Sequence, residues 1–138
     1  MLNIFSLDFL KIVSINYSEN QKSAEIIRIR IEDLSFNASD SKVQFNSLIE
    51  LVYPDHEVNG IKFTSRFSIK DPETAEKFAK KDGKDRSEAI SLLFTYIYPF
   101  IRENVWTILK DTANPILLPM IDCRWIDLNK GLELRRYE

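Results

Sequence analysis

The residues able to do chemistry in this chain are few, and their spacing suits little of it. His56 is the single histidine and stands in Pro54-Asp-His-Glu57. An imidazole flanked by two carboxylates could touch a metal, but a metal site needs several ligands converging from different elements. General acid–base work likewise needs a positioned partner of matched pKa. His56 therefore reads as a turn residue, and no metal site is expected. Cys123, the one cysteine, precedes Arg124, and a neighbouring cation lowers a thiol's pKa. Packing is the simpler role for it. A lone thiol makes neither an internal disulfide nor a cysteine zinc site. Asp122 and Asp127 could be drawn as a glycosidase-like carboxylate pair, but nothing in the sequence sets their separation. Lys77, Lys80, Lys81 and Lys84 are interleaved with Glu73, Glu76, Asp82 and Asp85, which is the pattern of a solvated face. No catalytic residue and no cofactor emerges, and the chain is expected not to be an enzyme.

Composition points the same way. The glycines are Gly60, Gly83 and Gly131, too far apart to write a dinucleotide fingerprint, a phosphate loop or a nucleophile elbow. The net charge of −2, from 19 basic and 21 acidic residues, argues against nucleic acid as an obligatory partner. An apolar share of 44% excludes disorder as the main state and suits one globular domain of 138 residues. The first residues lack a basic run and a small-residue cleavage site, so no signal peptide is expected. With the lone thiol, this suggests a cytoplasmic protein.

Something must nevertheless position the apolar residues. Residues 7–17 place Leu7, Phe9, Val13, Ile15 and Tyr17 at odd positions, blurred by Leu10 and Ile12. Residues 24–36 alternate Ile27, Ile29 and Ile31 with Arg28, Arg30 and Glu32, then change phase at Leu34 and Phe36. That slip predicts a β-bulge near Glu32-Asp33. Residues 42–53 and 60–70 alternate well, with Val43, Phe45, Ile49, Leu51 and Tyr53 in one and Ile61, Phe63, Phe67 and Ile69 in the other. Polar turns between them favour an antiparallel meander or a close variant, with one face needing cover.

Helices at about 72–81 and 86–111 supply the cover. Asp71 with Pro72 is a helix start, and Asp85 with Glu88 reads as a second start with a capping box. Pro99 falls inside the second helix and predicts a kink or two segments. Thirteen of the twenty residues from Ile90 to Leu109 are apolar. Ile90, Phe94, Ile97, Ile101, Val105 and Ile108 form one stripe, which is enough to cover a sheet. Leu93, Tyr96, Phe100 and Trp106 lie largely outside it and need a second partner. Membrane insertion is not expected, because Pro99, Arg102, Glu103 and Asn104 interrupt the run before about 18 apolar residues accumulate. The stretch 114–128 is apolar and contains Pro115 and Pro119, so it should lie extended on the protein. The expected class is α+β: a four-stranded antiparallel sheet covered by a long and a short helix, with an extended C-terminal tail.

Tyr98-Pro-Phe-Ile-Arg-Glu103 resembles the aromatic-Pro-aromatic-x-Arg-Glu signature of the SecB family of protein-export chaperones. Pro115 follows Arg102 by 13 residues and opens Pro115-Ile-Leu-Leu-Pro-Met-Ile-Asp122, which is similar to that family's Pro- and Leu-rich tail. Asp122 stands where the family has Asn, Cys123 where it commonly has Phe, and the acidic C-terminal extension linked to docking on the SecA motor is absent. The resemblance implies a non-enzymatic holdase, working without nucleotide, that forms homodimers or homotetramers around unfolded polypeptide clients. It implies a client groove drawn from Tyr98, Phe100, Trp106, Leu117, Leu118, Met120 and Trp125. Arg102 and Glu103 would then serve structure. The client could be exported chains in general, with SecA as a partner, or one dedicated partner such as an antitoxin. A dedicated interaction module on the same fold and a small-molecule-binding α+β domain are the competing readings.

Overall fold

The computed structural model describes residues 4–80, 83–122 and 130–135. Five antiparallel strands form one sheet: β1 (Phe5–Asn16), β2 (Ile26–Asn37), β3 (Lys42–Val52), β4 (Val58–Ile69) and β5 (Leu132–Arg135). Two helices, α1 (Pro72–Ala79) and α2 (Lys84–Leu109), follow β4. The spatial order is β1-β4-β3-β2-β5. β2, β3 and β4 form a meander, and β1 returns beside β4, which is Greek-key order.

Two expectations are corrected here. The sheet has a fifth strand, because Leu132–Arg135 pairs with Ile26–Ile29. The first strand pairs with the fourth, so residues 18–23 are a crossing connection and not a hairpin turn. Buried amides hold that connection. Asn59 accepts from the Ser18 amide (2.8 Å) and donates to the Ser18 carbonyl (3.0 Å). Asn114 accepts from the Ala24 amide (3.2 Å) and donates to the Asn20 and Lys22 carbonyls.

Cross-strand register builds the core in rows. Ile15, Ile61, Ile49, Ile29 and Leu132 lie opposite one another across all five strands. Ile29, Phe45, Phe63 and Phe67 are buried, each contributing roughly 1.5–3 kcal/mol by leaving water. The bulge in β2 is present between Glu32 and Ser35, with Asp33 at φ 54°. Two further bulges, at Asp8 and Val13, explain the blurred alternation of the first strand. Each shifts the phase by one residue. Leu7, Leu10, Ile12 and Ile15 therefore share the core face, and Phe9 points to the outer face beside Arg66. The odd-position reading of Phe9 and Val13 is thus corrected.

α1 starts as the sequence predicts. Asp71 caps it by accepting from the Thr74 amide (3.0 Å), and Pro72 opens the first turn. Phe78 then stacks on Phe36 of β2 at 6.0 Å. α2 starts at Lys84, one residue before Asp85, with Gly83 at the N-cap, where a φ of 110° suits a residue without Cβ. No side chain caps it. Asp85 pairs with Lys80 (3.1 Å) instead. The helix runs as one segment through Pro99.

Candidate functional site

α2 carries two apolar faces. Ile90, Phe94, Ile97, Ile101 and Val105 are buried against the sheet, as is Leu93 beside them. On the opposite side Leu92, Tyr96 (47% exposed), Phe100 (46%) and Trp106 are open to water, with Pro99 and Glu103 between them. Leu92, Tyr96 and Phe100 follow at four-residue steps, so they form one row along the helix. The row is anchored at one side. Phe5 at the start of β1 meets the Tyr96 ring edge-on at 5.2 Å and reaches Phe67 of the core at 5.5 Å. Tyr96 lies 6.1 Å from Phe100. An aromatic chain thus runs from the core outward to the exposed helix face.

The tail is clipped to the flank of the same helix. Tyr98 donates its hydroxyl to the Pro119 carbonyl (2.6 Å), and Arg102 Nε donates to the Leu118 carbonyl. Tyr98 and Arg102 are four residues apart, so both reach the tail from one side of α2. Bound by its backbone, the extended tail alternates. Ile116 and Leu118 are buried, whereas Pro115, Leu117 (53% exposed) and Pro119 face outward. The alternation ends there, and Met120, next along the chain, is 74% exposed as well.

The residues expected to line a groove therefore divide. Phe100, Trp106, Leu117 and Met120 are exposed. Tyr98 and Leu118 are not surface residues: the first is buried where it grips the tail, and the second is the side chain the grip drives inward. Trp125 lies outside the described residues, as do Cys123, Asp127, Lys81 and Asp82. Arg102 is a tail clamp, in keeping with a structural role, and Glu103 is exposed. Tyr96 is expected on the second face with Phe100 but not in the groove, and Leu93, expected on that face too, is buried on the core side. Missed by the sequence reading were Phe5 and Leu92, although projecting four-residue steps back from Phe100 through Tyr96 finds Leu92. Also missed was an exposed apolar stretch on the edge strand: Ile12, Val13 and Ile15.

The outer sheet face is charged. Glu50 is shared by Arg30 (3.3 Å) and Arg28 (3.5 Å). Asp8, thrust outward by its bulge, accepts from Lys42 (2.9 Å) and Ser68 (2.9 Å) and lies near Arg66. The bond from Lys42 is the main cause that holds the Asp8 carboxyl below the ordinary range. His56 sits in an exposed turn at φ 67°. Neighbouring Asp55 accepts from the Glu57 amide, which lowers its carboxyl pKa, and bonds Asn20 as well. Among the described residues no three His, Cys, Asp or Glu side chains converge to hold a metal, and no helix is long and apolar enough to cross a membrane.

No protein-family model and no curated protein matches the chain. Among the solved structures that match is a SecB-like chaperone of Mycobacterium tuberculosis, Rv1957, which superposes with a TM-score of 0.53 at 14% identity. The match covers 85% of this chain and 89% of that one. The fold is SecB-like. The Mycobacterium protein was solved in complex with a ChAD peptide from the Rv1956 HigA1 antitoxin. Within the SecB-like fold of this chain, the aromatic-Pro-aromatic motif lies on α2. Its Tyr98 and Arg102 bind the tail, and its Phe100 faces water.

Proposed function

We propose that this chain is a cytoplasmic, SecB-like chaperone that binds unfolded or nascent polypeptide without ATP and performs no catalysis. The observation that carries the reading is the second apolar face of α2, Leu92, Tyr96, Phe100 and Trp106, together with the exposed Leu117 and Met120 of the tail on the flank of the same helix. Large exposed apolar surface marks an interaction site. Aromatic and methionine side chains adapt to varied apolar segments, because they offer large area and flexible packing. Copies associate through part of the α2 face into a homodimer or homotetramer, and the remainder lines the client groove. Phe100, Trp106, Leu117 and Met120 are its contact residues.

Suppression of aggregation of several unfolded clients without nucleotide tests this, with light scattering to give the mass. The expected result is suppression at stoichiometric amounts by an oligomer. A clean monomer near 16.2 kDa with no suppression overturns it. A second reading, one dedicated partner, is favoured by the antitoxin peptide bound to the Mycobacterium neighbour. Capture of one partner encoded nearby, against a broad spectrum of unfolded chains, separates the two.

A further inference from the structure

The sheet ends at β2 except for four residues. β5 lies antiparallel on Ile26–Ile29, while Arg30 to Asn37 of β2 have no strand on that side among the described residues. The seat has a readable chemistry. Leu134 lies opposite Ile27 and Leu132 opposite Ile29, both half-buried on the core face. Glu133, between them, lies opposite Arg28 on the outer face, with Nε and Oε1 3.5 Å apart. Arg28 is already served by Glu50, and the Glu133 side chain is 53% exposed, so this ion pair is weak. Gly131, at φ 85°, turns the chain into this position 3.5 Å from the Ile29 carbonyl oxygen, measured from where a Cβ would stand. The occupant is thus short, held by two half-buried leucines, a wet ion pair and ladder hydrogen bonds that any extended chain can supply.

We propose that the β2 edge accepts an extended polypeptide segment with an acidic residue between two aliphatic ones, added as a strand, and that β5 is the chain's own displaceable occupant of that edge. This rests on the polypeptide-binding reading above and gives it a second seat, distinct from the α2 face. Strand addition draws affinity from main-chain bonds and selectivity from alternate side chains. A segment that continues the β5 sequence at its N-terminal end gains the unused edge from Arg30 onward, and one no longer than β5 competes with it on equal contacts. Occupation by β5 lowers apparent affinity in proportion to the fraction of chains with the edge open.

The probe is a fluorescein-labelled peptide copying Lys130–Glu138, read by anisotropy against three full-length proteins. These are the unmodified chain, Leu134→Pro, and an oxidised Ile27→Cys/Leu134→Cys pair made with Cys123→Ser. Proline removes a ladder donor and unseats β5. The expected order is about tenfold tighter binding to Leu134→Pro than to the unmodified chain, and loss of binding to the locked pair. A second measurement needs no variant: saturating peptide should speed hydrogen exchange at the Leu132 and Leu134 amides of the unmodified chain, which the register turns toward Ile29 and Ile27. Equal affinity for all three proteins, or unchanged exchange, overturns the proposal. So does equal binding of a peptide carrying Leu132→Pro. Doubled mass of Leu134→Pro without peptide binding assigns the edge to a second copy and overturns the client assignment. Aggregation suppression is read in parallel. Suppression without peptide exchange leaves the chaperone reading standing and removes this one, and exchange without suppression does the reverse.

Discussion

Replacing Arg102 by Met tests whether the tail is held by its backbone. Methionine keeps the apolar stem but loses the donor to the Leu118 carbonyl. A hydrogen bond from a charged group contributes about 1.5–3 kcal/mol. Burial of Ile116 and Leu118 adds roughly 1.5–3 kcal/mol each. Ordering the backbone opposes this at about 1–2 kcal/mol per residue, so the margin by which the stretch 115–120 docks rests on the clamp. Removing the Arg102 bond then raises the undocked-to-docked ratio about 10- to 150-fold, at tenfold per 1.4 kcal/mol. Tyr98→Phe, which loses a neutral bond to Pro119, should give only about 2- to 10-fold. The assay is hydrogen exchange by mass spectrometry at the amides of Leu117, Leu118 and Met120, with β3 amides as the internal standard. Exchange at the tail within about twofold of the unmodified chain would refute the clamp, since the predicted change is several times larger.

Three other outcomes are expected. Phe94→Ala, in the core, should cost about 3–5 kcal/mol in urea unfolding, whereas Phe100→Ala on the open face should leave chain stability within about 0.5 kcal/mol and reduce client binding or assembly. Asn114→Ala orphans the buried Ala24 amide and the carbonyls of Asn20 and Lys22, so a loss of about 1–3 kcal/mol should appear in the same unfolding curves. The Asp8 carboxyl has a depressed pKa in the folded state, so its stabilisation is present above the unfolded value of about 3.9 and is lost as pH falls through the lower folded value. Asp8→Asn should therefore flatten the acid limb of stability against pH and leave the curve above about pH 6 parallel to the unmodified one.

Much of the fold was legible because long periodic elements state their faces. The alternation in 42–53 and 60–70 marks the residues that are buried in β3 and β4, and the α2 stripe marks its core side. The Asp71-Pro72 start was legible because both residues act locally. Pairing of β1 with β4 was not, since it depends on Asn59 and Asn114 gripping a connection 41 and 90 residues away in sequence. The phase of β1 was obscured because its bulges at Asp8 and Val13 involve no glycine to announce them. β5 is four residues long, at the lower limit of the length at which alternation carries information. On the candidate surface, residue type alone could not separate Leu117 from Leu118. The direction of each follows from the carbonyl to which Arg102 donates.

The clamp and the open surface are one device. An extended strand cannot bury both its sides on one helix flank, because successive side chains point in opposite directions. Holding the tail through the carbonyls of Leu118 and Pro119 fixes the register in which Leu118 is inward and Leu117 outward, and Met120, past the clamp, is exposed outside that alternation. Had the tail been held by its side chains alone, it could slide by one residue and bury Leu117 instead. Tyr98 and Arg102 therefore set which apolar residues stay in water as well as where the tail lies. The same helix holds Tyr96 and Phe100 outward by supporting Tyr96 on Phe5. Exposed apolar side chains are costly to leave without partners, and two separate constraints, one on the tail backbone and one between aromatic rings, keep these exposed. That cost is what the proposed polypeptide-binding role would offset.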